Sequence, residues 1–188
     1  MATINSTKKQ LDRIRYKYIN RVVETRAKKD FKTTVSVLGK KIGPFTAGNH
    51  YKLEFWIAKL FINYDILEIV GSDKLDLQNI QKIAYTEANA KEMKKVNPLL
   101  FTAIREYLNI LASRIKNGFT RERKFKDIYS NVQDLITVRH RKVIRLSQMK
   151  LTVRRLQNLT EEEKVLMKSL SQDFKEWKKF FLEDVKKF

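Results

Sequence analysis

The stretch GKKIGPFTAGNHYKLEFWIAKLFIN, residues 39–63, separates two kinds of sequence. Its first half, at 39–50, holds three of the five glycines and one of the two prolines, and it reads as a loop. Its last nine residues, FWIAKLFIN, are almost all apolar and fit a short helix buried on most faces. Upstream, aromatic and β-branched residues gather in YKYINRVV at 16–23 and FKTTVSVL at 31–38, which are expected to be strands. In the second, Phe31, Thr33, Val35 and Val37 alternate with Lys32, Thr34, Ser36 and Leu38, the period of a half-buried strand. RAKKD at 26–30 would connect the two, and the first 50 residues read poorly as a long amphipathic helix.

Downstream of Phe55 the period changes to that of helices. Asp76 is placed to cap a helix with the face Leu77, Ile80, Ile83, Ala84 and Ala88. Asn97 followed by Pro98 signals a new start, and Asn117 with Gly118 a left-handed stop, around the face Leu100, Ala103, Ile104, Tyr107, Leu108, Leu111 and Ile115. After the basic connection FTRERKFKD, a helix is expected over roughly 126–156, with Ile128, Val132, Leu135, Ile136, Val143, Leu146, Val153 and Leu156 as its stripe. Thr160 and Glu163 form a capping-box signature for a last helix with the face Leu166, Leu170, Phe174, Trp177 and Phe181. The expected fold class is α+β, mainly α: a small β-rich domain over 1–52, then a helical-bundle domain over 53–188.

The 188 residues include 40 Lys and Arg, 21 Asp and Glu, two His and no Cys, for a net charge of +19. Without cysteine there is no thiol nucleophile, disulfide or Cys-rich zinc site, and His50 and His140 alone cannot make a clustered-His site. Asp73 with Asp76, and Glu161 to Glu163, fit the starts of helices and need no metal. His140 reads as a surface or partner-facing residue, and His50 has no carboxylate or second imidazole near it in sequence. GxSxG, HExxH, GxxxxGK and GxGxxG patterns are missing, so the expectation is a non-enzyme without cofactor or metal. No signal-peptide pattern or membrane-spanning run occurs, which predicts a soluble, intracellular protein that does not engage membranes.

The charge is uneven. Residues 1–50 carry 12 basic and 3 acidic groups and residues 114–156 carry 13 and 3, whereas 51–113 and 157–188 are each balanced. Such a field favours phosphate backbones or an acidic partner. Its most concentrated part is QDLITVRHRKVIRLSQMK at 133–150, followed by VRR at 153–155. Arg121, Arg123, Lys124, Arg141, Arg145, Arg154 and Arg155 are the candidates for contact with nucleic acid or an acidic partner. Arg139 differs, because it lies four residues from both Leu135 and Val143 on the apolar stripe. An inward guanidinium requires a carboxylate or carbonyl partner, or else escape to the helix rim, and Asp134, five residues away, is a candidate only with poor helical geometry.

Two ordered anchors carry a family resemblance. GPFTAGNHYKLEFWIAKLF at 43–61 resembles the GINS subunits of replication complexes, in the form whose small β domain precedes the helical one. That family's Gly-Pro-Phe turn falls on Gly43, Pro44 and Phe45, its Pro-Gly pair on Ala47 and Gly48, and its Pro-Leu-Trp-Leu-Ala helix opening on Glu54, Phe55, Trp56, Ile57 and Ala58. Ala47 and Glu54 stand where prolines are expected. VQDLITVRHRKVIRLS at 132–147 is similar to the family's Asp-hydrophobic, Arg and Lys helix through Asp134, Leu135, Arg139 and Lys142. The resemblance implies an archaeal subunit of the two-and-three type, in a 2:2 heterotetramer with a sister GINS subunit. It further implies binding to the MCM helicase and a Cdc45- or RecJ-like protein, contact with primase, weak DNA contact, and a cytoplasmic, nucleoid-associated location. On this reading Pro44, Phe45, Trp56, Asp134, Arg139 and Lys142 serve the interface or domain junction. The alternative is a stand-alone basic nucleic-acid-binding protein.

Overall fold

A computed structural model describes residues 2–149 and 153–182. The fold is α+β and mainly helical, with a small antiparallel sheet of three strands, a two-stranded sheet, and a helical region. In chain order the elements are α1 (Ala2–Ile19), β1 (Val22–Ala27), β2 (Val35–Val37), β3 (Lys40–Ile42), β4 (His50–Glu54), α2 (Phe55–Asn63) and β5 (Leu67–Ile69). A 3-10 turn (Gly71–Asp73), α3 (Leu77–Ala88), α4 (Leu100–Lys116), α5 (Glu122–Ser147), α6 (Val153–Gln157) and α7 (Glu161–Leu182) follow. Among the described residues no helix is long and apolar enough to cross a membrane.

The expectation for the first 50 residues is corrected in three places, the first being the strand expected over 31–38, which is confined to Val35–Val37 while Phe31 makes only an isolated bridge to Phe45. A helix covers Ala2–Ile19, so the strand expected at 16–23 begins only at Val22. Leu11, Ile14 and Tyr18 recur at helical spacing, and burial of Tyr18 against Phe55, ring centroids 5.0 Å apart, outweighs the strand preference of the Tyr and Ile residues around it. The stretch 39–50 is not all loop: Lys40–Ile42 pairs with Val35–Val37 as a hairpin, and β4 starts at His50. Leu38 and Gly39, both at positive φ, make the two-residue connection of that hairpin.

The backbone forms two compact units. One comprises Tyr16–Leu77 and Ala103–Tyr129. Its three-stranded sheet has the order β4-β1-β5, all antiparallel, and β1 alternates exposed and buried residues so that Val23, Thr25 and Ala27 face inward. Phe45 is buried edge-on against Phe61 and Tyr51, centroids 4.9 and 4.8 Å away, and Phe31 joins the same cluster. The Gly43-Pro44 turn that delivers Phe45 lies so close to the chain that a Cβ on Gly43 would sit 2.7 Å from the Thr33 carbonyl oxygen.

The other unit comprises Met1–Arg15, Gln78–Thr102 and Ser130–Phe188. Met93, Val143, Leu159 and Met167 form its buried cluster, with Leu146, Leu156, Leu166 and Leu170 packed on it. The long helix expected over 126–156 is instead α5, 26 residues over about 39 Å, followed by the separate α6. At the end of α5 the Ser147 hydroxyl donates to the Ile144 carbonyl at 2.7 Å, and the Ser147 carbonyl accepts from the Ser171 hydroxyl at 3.2 Å. These bonds occupy terminal groups that a continuing helix would have used internally. The periodicity was misleading because Leu156, on α6, packs on the same core as Leu146.

The expected helix ends at α4 are present. Asn97 Oδ1 accepts the Leu99 N–H at 2.9 Å. At the far end Phe119 N–H reaches the Arg114 carbonyl and Gly118 N–H the Ile115 carbonyl, the paired bonds of a Schellman stop, with Gly118 at φ +75°. The two glycines allow a direct comparison. Gly118→Ala meets open space and should cost about 1 kcal/mol from its positive φ alone. Gly43→Ala adds the collision with Thr33 and should cost about 2–3 kcal/mol. Urea unfolding of both variants measures the difference, and equal losses would contradict the close-approach argument.

Candidate functional site

Arg139 is fully buried in the middle of the α5 stripe, and its five N–H groups meet five acceptors. Nε and Nη2 grip the Glu163 carboxylate at 2.6 and 2.7 Å. Nη1 donates to Glu87 Oε2 at 2.8 Å and to the Lys94 carbonyl at 3.2 Å, and Nη2 also donates to the Asn158 carbonyl at 3.0 Å. Burial by itself disfavours the guanidinium charge, but the hydrogen bonds and charges of Glu163 and Glu87 outweigh it and raise the pKa above the ordinary arginine value.

The partners are themselves satisfied. Lys142 Nζ lies 2.6 Å from both Glu87 Oε1 and the Glu87 carbonyl. Glu163 Oε2 also accepts the Thr160 N–H at 2.8 Å while Thr160 Oγ1 accepts the Glu163 N–H at 3.2 Å, the reciprocal capping box expected for α7. Arg139 and Lys142 are therefore brought together on Glu87, and the partner of Arg139 is not Asp134, which is exposed. Five residues turn a helix by about 500°, which leaves Asp134 well off the Arg139 face. The sequence did contain a signal for Glu87: it sits seven residues after Ile80, on the otherwise apolar face of α3.

The other candidates are dispersed. Phe45 is buried among the aromatic rings of its own unit, Pro44 is exposed, and half-buried Trp56 donates Nε1–H to Glu54 at 2.6 Å. Arg121, Arg123, Lys124, Arg141 and Arg145 are exposed and Arg155 is half-buried, while the Arg154 side chain lies outside the described residues. His140 is exposed. His50 gains from the fold the carboxylate that its sequence neighbourhood lacks, with Nδ1 2.9 Å from Glu24 Oε1. Among the described residues no group of three or more His, Asp or Glu is arranged to hold a metal ion.

Both units contain hollows with mixed lining. In the unit built on the sheet, a cavity of about 250 Å³ is bordered by Tyr18, Asp65, Tyr107 and Arg114. Arg114 holds Asp65 at 2.7 Å, and Lys28 joins the same carboxylate. Desolvation opposes ionisation of Asp65, but hydrogen bonds from Lys28 and Arg114 prevail and lower its pKa. Burial raises both Tyr18 and Tyr107 from 10.0 to about 12. In the other unit, a cleft of about 340 Å³ is lined by Met93, Leu146, Met149 and several cations.

Removing Arg139 should be severe. Arg139→Met leaves two buried carboxylates without their main counter-charge and is expected to cost about 3–5 kcal/mol in urea unfolding. Adding Glu163→Gln, which retains a cap, should recover part of that loss, and simple addition of two losses would contradict the network. The tyrosines set an alkaline limit: with folded pKa values above the unfolded 10.0, their contribution is complete below pH 10 and disappears as pH rises through about 12. Tyr18→Phe and Tyr107→Phe should each flatten the loss of stability between pH 10 and 12, checked by unfolding at stepped pH. Comparison with protein-family models and with curated proteins gave no match for this chain.

Proposed function

We propose that the chain is a non-catalytic subunit of a GINS-like hetero-oligomeric replication complex. In this reading it joins a sister subunit in a 2:2 heterotetramer and scaffolds and activates the MCM replicative helicase with a Cdc45- or RecJ-like protein. It acts on the nucleoid at replication forks, with primase as a further contact. The family assignment rests on the motifs at 43–61 and 132–147. The observation that carries an assembling protein is the end of α7, where Trp177, Phe180, Phe181 and Leu182 are 63%, 70%, 52% and 61% exposed. The three aromatic rings form a chain of contacts, with centroids 4.8 Å apart for Trp177–Phe181 and 5.0 Å for Phe180–Phe181. A grouped apolar surface of this kind is characteristic of a face that association covers.

The exposed Arg121, Arg123, Lys124, Arg141 and Arg145 favour a second reading, a stand-alone nucleic-acid-binding protein. One experiment separates the two. The chain has two tryptophans, so Trp56→Phe leaves Trp177 as the sole reporter. Co-expression of the unaltered chain with the sister chain should give a 2:2 mass by native mass spectrometry, and the Trp56→Phe chain a blue shift of Trp177 emission on assembly. A compact chain that stays monomeric across physiological salt would sink the scaffold reading. If that monomer also binds DNA with affinity falling steeply as salt rises, the second reading replaces it.

A further inference from the structure

The cleft lined by Met93, Leu146 and Met149 continues into a second hollow of about 820 Å³, and the two share Glu92, Met93, Arg155 and Asn158 as lining. The combined groove has an apolar part and a basic part. Met93 is buried at its base, whereas Met149 is 41% exposed. Lys91 and Arg145 border the first hollow, Lys94 and Lys95 the second, and all four are exposed. Neither Lys91 nor Arg145 is ion-paired among the described residues, whereas Lys142, also on the lining, is held by Glu87. Among the described residues Glu92 is the one carboxylate that lines either hollow.

We infer that this groove binds an acidic peptide segment of a partner protein, seating an apolar side chain against Met93, Leu146 and Met149 while its carboxylates face Lys91, Arg145 and the neighbouring cations. Charge complementarity determines the sign of the occupant. The lining determines its class. Among the described residues no aromatic side chain lines either hollow, so they offer no stacking platform of the kind on which single-stranded nucleic acid depends. Methionine and leucine instead offer the adaptable apolar contact that suits a peptide anchor. The inference deepens the scaffold reading by giving the chemistry of one partner, and it rests on that reading only in taking the ligand to be a protein.

The test is fluorescence anisotropy on the full chain at physiological salt, with fluorescein-labelled Asp-Asp-Leu-Phe-Glu-Asp as probe. Two control peptides replace Leu-Phe by Ser-Ser or the acids by their amides, and a mixed-sequence single-stranded DNA is the fourth ligand. The probe should bind at least about tenfold more tightly than any of the other three. Arg145→Glu and Met149→Glu should each weaken it by about tenfold or more, while Lys8→Glu, at an exposed position on α1, leaves it unchanged. Far-UV circular dichroism checks each variant, and Lys91→Glu decides if Arg145→Glu does not fold. Equal binding of probe and either control peptide, DNA binding as tight as the probe's, or indifference to the groove variants would overturn the inference. Because the peptide is titrated against this chain alone, failure to form a heterotetramer leaves the result readable, and failure of the peptide leaves the heterotetramer test intact.

Discussion

A guanidinium removed from water must be surrounded by acceptors, and that constraint organises the unit built around Arg139. Its partners come from α3, from the segment after α3, from the α6–α7 connection and from the first turn of α7. Any one of these segments displaced by an ångström would leave a charge or a carbonyl buried without a partner. Apolar residues in place of Arg139, Glu87 and Glu163 together could fill the space with comparable stability. What a five-fold donor adds is discrimination between packings: Leu and Val faces tolerate sliding, whereas a bidentate grip on Glu163 and a third bond to Glu87 tolerate one arrangement. Glu163 strengthens this by belonging at once to the ion network and to the N-terminal cap of α7.

The same network bears on how the chain reaches its fold. The Arg139–Glu163 bond closes 24 residues and the Arg139–Glu87 bond closes 52, so neither can form with the local speed of the helices that carry them. Capping at Asn97, the stop at Gly118 and the box at Thr160 are local and can define helix ends before the ion network closes.

Local signals were also the legible ones in the sequence. Helix ends with a side-chain cap or a positive-φ glycine were readable because their chemistry lies within a few residues. The α2 run and the class of the fold followed from period and composition. What failed was long-range: Tyr18 is helical because Phe55 covers it, and α5 stops at Ser147 because Ser171 supplies the terminal hydrogen bond. Of the candidate residues, Arg139 could be recognised as needing a partner, since the stripe placed it inward. Its actual carboxylates, 52 and 24 residues away, could not be chosen from sequence, although Glu87 on an apolar face was visible as an anomaly. The groove between Met93 and Met149 had no linear signature, because its apolar and basic sides come from separate segments.

The aromatic end of α7 also matters for the chain as a colloid. At low ionic strength a net charge of +19 keeps like molecules apart and holds their Trp177, Phe180 and Phe181 surfaces out of mutual contact. Raising salt from about 0.01 M to about 1 M shortens the screening length from roughly 30 Å to about 3 Å while leaving apolar attraction intact. The lone chain thus becomes stickier as salt is added, the reverse of what its basic composition suggests, and a purification step that relies on high salt to strip nucleic acid works against its dispersal.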